Sequence, residues 1–285
     1  AQLSRMELVA RHAVEGFLTG KHPSPFHGSS VEYADHRPYT LGDEIRSLDW
    51  KLLAKTDKHY VKLYEDQTNI RCTILLDTSR SMAFHSEDSM SKLEYGAHVA
   101  AALGYLMLRQ NDAVGLALFD RALREYLPAR STASHFRRMM DMLEHAHAQR
   151  DSDMGPAMHE LAGRLQRRGM IVLISDLIDA HDALKTALGH FRHRKHDVIV
   201  FHVMDPHELD FPYERLTRFK DMEGAGTVVT NPANVRRHYL QRLDEFLKRT
   251  KAACLERGVS YELLRTDQPW NQALSAYLGK RSKMR

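Results

Sequence analysis

Four segments of this chain constrain the fold more than anything else in it, because each is apolar at nearly every position. They are Ile74-Leu-Leu76 with its flanks, Ala113-Val-Gly-Leu-Ala-Leu-Phe119, Met170-Ile-Val-Leu-Ile-Ser-Asp176 and Asp197-Val-Ile-Val-Phe-His-Val-Met204. A strand with one wet face alternates apolar and polar residues. A strand covered on both faces does not, and such strands belong to parallel sheets sandwiched between helices. Helical patterns separate most of the runs. After the first, Ser91 is placed to cap a crossover helix in which Leu93, Ala97, Ala100, Gly104 and Leu108 form a stripe of small and apolar residues suited to close packing on a sheet. The expected fold class is α/β, a doubly wound and mostly parallel sheet.

The flanking segments are read in the same way. Leu3 to Leu18 has helical spacing and stops near Gly20, Lys21 to Thr56 is loop-rich, and Tyr60 to Glu65 alternates as a half-exposed strand. Leu123 to Leu127 reads as a short edge strand. Helices are expected over Thr132–His145, Met154–Arg168 and Asp179–Arg192. Pro206, Pro212 and Gly224-Ala-Gly226 mark an irregular excursion that includes a short strand at Thr227–Thr230. A long helix from Asn231-Pro232 to about Arg257, a strand over Val259–Leu264 and a closing helix over Asn271–Leu278 complete the chain. Residues 1–69 are expected to form an N-terminal accessory segment packed on a main domain of residues 70–285.

Composition narrows the setting. Of 285 residues, 43% are hydrophobic and 27% charged, and no stretch approaches the ~20 apolar residues of a membrane span. The opening Ala1-Gln-Leu-Ser-Arg-Met lacks the apolar core of a signal peptide, so a cytoplasmic protein acting in solution is expected. Cys72 and Cys254 are expected as buried free thiols. The net charge of +4 comes from short clusters such as Arg164-Leu-Gln-Arg167-Arg168, which read as solvated helix faces, and nucleic-acid binding is not expected.

The first apolar run ends in Asp77-Thr-Ser79-Arg-Ser81, which places a carboxylate and two hydroxyls at alternate positions of a strand-ending loop. Oxygen donors of this kind suit a hard cation, Mg²⁺ before Zn²⁺, because zinc sites recruit thiolate and imidazole. By the same logic Asp176, which ends another apolar run, is a second candidate ligand. The turn Asp151-Ser152-Asp153 is a third.

Asp77, Ser79, Ser81, Ser152 and Asp176 together resemble the metal-ion-dependent adhesion site of von Willebrand factor type A domains, in the same chain order. Upstream, Tyr39-Thr-Leu-Gly42-Asp43-Glu-Ile-Arg46-Ser-Leu-Asp49-Trp50-Lys-Leu-Leu-Ala54-Lys55 is similar to the signature of the bacterial family called domain of unknown function 58. The resemblance implies a type A fold and a Mg²⁺ site, with Mn²⁺ or Ca²⁺ as alternatives, that binds an acidic residue of a partner without catalysis. It also implies a MoxR-type AAA+ ATPase partner and chaperone-like maturation of a client protein. Ser152 stands where the family usually has Thr; it keeps the hydroxyl and loses the methyl, and Asp151 and Asp153 are neighbours able to substitute.

Asp43, Arg46, Asp49 and Trp50 fit either a structural lock on the accessory segment or a partner-binding surface. The enzymatic alternative is a Mg²⁺-dependent phosphohydrolase with Asp77 as nucleophile, although Ser79 occupies the place where a second Asp would act as general acid. The histidines of His145-Ala-His147 and His190-Phe-Arg-His193-Arg-Lys-His196 are expected on the surface with no role.

Overall fold

The computed structural model describes residues 5–19, 31–40, 50–56, 59–66, 70–87, 89–148, 151, 153–165, 167–178, 180–222 and 226–270. The chain divides into two compact units, residues 24–70 and residues 1–23 with 71–285.

In the larger unit the parallel strands are β3 (Arg71–Asp77), β4 (Ala113–Phe119), β6 (Met170–Ser175), β7 (Asp197–Met204) and β10 (Ser260–Arg265). With β5 (Leu123–Arg130) they form one sheet in the spatial order β10-β7-β6-β3-β4-β5, every pair parallel except β4 with β5. This is the doubly wound, mostly parallel sheet that the apolar runs predict. The chain starts in the middle at β3, winds outward through β4 to β5, returns to β6 on the other side of β3, and winds outward again. The β3–β6 junction is therefore the topological switch point, where the loops diverge and leave a crevice at the carboxyl ends of the strands.

Alternation on the strands divides the core into two layers. Leu75, Ile171, Leu173, Val198 and Val200 face helices α5 (Met154–Arg164), α6 (His181–His193) and α8 (Pro232–Leu255), with Met158, Leu161, Leu188, Phe191 and Cys254 filling the space. On the other face lies α3 (Lys92–Arg109), capped by Ser91, whose side chain accepts from the Glu94 N–H. That helix is buried on nearly all sides. α1 (Arg5–Thr19) and α4 (Ala133–Glu144) cover it, the Met6 N–H donating to Glu144 Oε1 at 2.8 Å and Arg11 lying over the Tyr105 ring. Gly104 of the small-residue stripe packs on Met139 and Phe136 of α4, and it is Gly96 that faces Leu76 and Ile174 of the sheet. Cys72 and Cys254 are both buried.

Several segments differ from the sequence reading. β5 extends to Arg130 through Pro128, which an edge strand tolerates because only one side needs its N–H groups. α5 stops at Arg164 rather than Arg168, with the Leu165 N–H closing on Leu161. Thr227–Thr230 is indeed a strand, β9, but it pairs with an unforeseen partner, β8 (Thr217–Lys220). α7 (Pro206–Asp210) begins the excursion after β7 with an Asp205/Glu208 capping box. His196 is buried rather than exposed, its Nε2 bonding to the Leu165 carbonyl at 3.2 Å. Gly20 and the Asn271–Leu278 helix lie outside the described residues.

In the smaller unit, β2 (Tyr60–Asp66) pairs antiparallel with β1 (Val31–Pro38), and α2 (Trp50–Thr56) lies between them in sequence. The loop-rich reading of Lys21–Thr56 missed both β1 and α2. A register shift between Tyr33 and Asp35 breaks the alternation that would reveal the strand, and the cluster of charges and turn residues obscures the seven-residue helix.

Gly115 is the position on β4 where the fold admits no side chain. A Cβ there would stand 2.6 Å from the Leu127 carbonyl oxygen and 2.8 Å from the Ala129 nitrogen, both backbone atoms of β5 where the register shifts. Gly115→Ala is expected to displace β5 and destabilise the domain by about 1–3 kcal/mol, read as a lower urea midpoint with an unchanged slope.

Candidate functional site

The parallel strands deliver a row of carboxylates to the carboxyl end of the sheet: Asp77 at the end of β3, Asp120 after β4, Asp176 after β6 and Asp205 after β7. All are at least 97% buried, with exposures of 1%, 3%, 2% and 0%. Four acids buried in this way need compensating partners.

Asp120 is matched locally. It accepts from the Ala122 N–H and from Arg124 Nε at 2.7 Å, closing the β4–β5 turn. Asp205 is held by neutral donors: Ser86 N–H at 2.9 Å, Ser86 Oγ at 3.1 Å, Ser89 Oγ at 2.6 Å, His207 N–H at 2.8 Å and Thr266 Oγ1 at 3.3 Å. Burial alone would raise its pKa, but these hydrogen bonds outweigh burial and hold the carboxyl below its ordinary range.

Asp176 has a different partner, one that sequence reasoning missed. Lys92 Nζ lies 2.7 Å from Asp176 Oδ2 and 2.7 Å from Glu208 Oε1, and the lysine side chain is completely buried. Burial would pull the ammonium pKa down, yet the two carboxylates outweigh it and raise it. Lys92 is the first residue of α3, where the unsatisfied N–H groups of a helix favour anions, so a cation there is out of place on local grounds. That mismatch is the signal the sequence offered. The Asp176 carbonyl also accepts from His202 Nε2 at 2.8 Å, while Tyr261 donates to His202 Nδ1. Burial lowers the pKa of this imidazole to about 4, so it is neutral.

Asp77 has no cationic partner among the described residues. Its Oδ1 accepts from the Ser79 N–H at 2.8 Å and its Oδ2 from Ser175 Oγ at 2.6 Å. Pairing of Leu76 with Ile174 brings Ser175 to this position, and Ser175 is the second residue of the site that the sequence reading did not single out. Burial, and next the negative charge of Asp176, push the Asp77 carboxyl up to about 7 despite those hydrogen bonds. Ser79 Oγ and Ser81 Oγ lie 3.1 Å apart in the same loop, both buried. Leu177, next to Asp176, is held at φ 56° in the left-handed region, a strained conformation stabilised in part by its N–H bond to Ser175 Oγ.

The structure thus brings Asp77, Ser79, Ser81 and Asp176 to the switch point. Ser152 lies outside the described residues. Its neighbour Asp151 is within 3.8 Å of Arg80, between Ser79 and Ser81, and accepts from Arg121 at 2.9 Å, whereas Asp153 caps α5 through the Gly155 N–H. Asp43, Arg46 and Asp49 lie outside the described residues, and Trp50 opens α2 with 59% of its surface exposed.

Among the described residues no three His, Cys, Asp or Glu side chains gather into a metal-binding group. A cation here would rely on hydroxyl oxygens beside the two aspartates, a donor set for a hard ion. Charge supports the fit. The buried Asp77 and Asp176 and the partly exposed Glu208 outnumber the one ammonium the described residues set against them, Lys92.

Comparison with known proteins follows from this geometry. The family model described as "Protein of unknown function DUF58" matches residues 35–246. The uncharacterized protein Rv1480 of Mycobacterium tuberculosis is 26% identical over 215 residues, which are 74% of this chain and 67% of that protein. An aerotolerance-related membrane protein from Bacteroides fragilis, solved with multiple mutations to serines, is 21% identical with a TM-score of 0.50, covering 76% of this chain and all of the other. That likeness is one of fold. The SpRpn10 VWA domain aligns with 73% of this chain and 94% of its own at 10% identity and a TM-score of 0.43.

Proposed function

We propose, for a chain that belongs to the DUF58 family of proteins of unknown function, that its von Willebrand type A-like domain is a non-enzymatic, metal-dependent protein-interaction module. The observation that carries this reading is the buried Asp77 carboxylate. It stands at the switch point with Ser79 and Ser81 beside it and, among the described residues, no cationic side chain to neutralise it.

Asp77, Ser79 and Ser81 would hold Mg²⁺, or Mn²⁺ or Ca²⁺, with Ser152 and Asp176 completing the set. A divalent ion held there would offer a coordination position to an acidic side chain of a partner. The chain's own residues prepare the place. Ser175 and the Ser79 N–H orient the Asp77 carboxylate, and Lys92 fixes Asp176 through Oδ2. Both oxygens of Asp77 already accept hydrogen bonds, and Ser79 is fully buried where a phosphohydrolase would place its general acid. Binding is therefore favoured over the nucleophilic alternative.

The family resemblance extends the proposal to a MoxR-type AAA+ ATPase as partner and to chaperone-like maturation of a client protein. Among the described residues no helix is long and apolar enough to cross a membrane. Calorimetric titration with Mg²⁺ tests the site. One site is expected in the parent, and Asp77→Asn, nearly isosteric, is expected to weaken it about 100-fold or more, since losing even an outer-shell partner costs ~10–100-fold. Equal affinity in parent and variant would refute the assignment of Asp77.

A further inference from the structure

At the opposite end of the sheet, where the parallel strands begin, the structure gathers arginines that the sequence pattern had distributed over a helix face. α5 ends at Arg164, so Arg167 belongs to the connection into β6 rather than to the helix. With Arg71, the first residue of β3, these two guanidinium groups line a cavity of about 330 Å³ whose walls include Tyr126, Pro128 and His196. None of the described lining residues is acidic.

The partners of Arg164 and Arg71 among the described residues leave both available to a ligand. Arg164 pairs with Glu160 one helical turn away at 2.6 Å, but both side chains are about half exposed, and an ion pair of that kind contributes little. Its guanidinium lies 5.5 Å from the centre of the Tyr126 ring, which holds it over the pocket wall. Among the described residues Arg71 reaches the Ala129 carbonyl, at 3.4 Å. The floor is rigid. His196 is fixed by the Leu165 carbonyl, and Gly169 backs directly onto the Arg71 carbonyl so closely that a side chain has no room.

We propose that this cavity is a binding site for a small phosphate-bearing anion with more than one negative charge. Guanidinium forks match the paired oxygens of phosphate, and three of them around one cavity exceed what a single carboxylate neutralises. The volume lies at the lower end of the range for small-molecule pockets, room for a diphosphate with a modest organic group. The site is separate from the Asp77 crevice, which lies at the other end of β3.

Pyrophosphate and ADP, titrated separately into the full chain by calorimetry at low and at 150 mM salt, test the proposal. Saturable one-to-one binding of pyrophosphate is expected, weakened about ten- to hundredfold by Arg71→Ser and by Arg167→Ser, the size of one charge-assisted hydrogen bond. Arg218→Ser, on the exposed β8–β9 hairpin, should leave it unchanged. Binding of ADP in competition with pyrophosphate would identify a nucleotide as the ligand, and pyrophosphate binding alone an inorganic or non-nucleotide phosphate. Absence of saturable binding, or an equal loss in Arg218→Ser, would overturn the site. All three arginines are exposed, and an unchanged melting temperature confirms that a variant is folded.

Discussion

Lys92→Met is expected to destabilise the protein by about 3–5 kcal/mol, the cost of stranding buried charge when one partner of an internal ion pair is removed. The side chain is completely buried with two carboxylates at 2.7 Å, and methionine fills a similar volume without the charge. The loss is therefore electrostatic rather than one of packing. Denaturant unfolding checks it directly. The triple change Lys92→Met, Asp176→Asn, Glu208→Gln should recover most of the stability, because an uncharged, well-packed replacement of a buried ion pair is often close to neutral. An unchanged midpoint in the single variant would mean that the carboxylates find another cation or take up protons at no cost.

Asp205→Ala is expected to be comparably severe, about 3–5 kcal/mol, because one carboxylate satisfies donors from three separate segments. Ser86 and Ser89 come from the loop before α3, His207 from α7, and Thr266 from the end of β10. The pH dependence follows from the depressed pKa. A carboxyl held lower in the folded state than in the unfolded chain contributes stability that is fully present above the unfolded value, about 3.9, and lost as the pH falls through the folded value. The parent should thus lose stability below about pH 4, and Asp205→Ala should show a shallower acid limb. An acid limb of equal steepness in the two proteins would refute this role. Glu208 ties the two predictions together, since its Oε1 meets Lys92 while its Oε2 accepts from the Asp205 N–H.

Much of this was legible in the residues, and the reasons for what was not are physical. Apolar runs without alternation identified the parallel strands, because burial on both faces leaves no choice of residue. The rule that selects Asp176, an acid ending such a run, also selects Asp120 and Asp205, and only their partners separate a local ion pair, a structural hub and a candidate ligand. For Asp176 and Asp205 those partners come from distant parts of the chain. Lys92 and Glu208 are 116 residues apart, and Ser175 reaches Asp77 across 98. No local pattern encodes such pairings, although a lysine in the first turn of α3 was a visible anomaly. Short elements such as β1, α2 and β8 escaped because a register shift or a handful of residues gives too little periodicity to read.

The antiparallel edge strand also bears on how this sheet can be approached. β5 carries Arg124, Glu125, Pro128 and Arg130 exposed along its length, and an extended peptide laid beside it would meet charge and a residue without an N–H. Recruitment by strand addition, and the runaway stacking of one copy on the next, are disfavoured along that border. Recognition there is left to the loops at the two ends of the sheet, which can change from one relative to another without disturbing the strands between them.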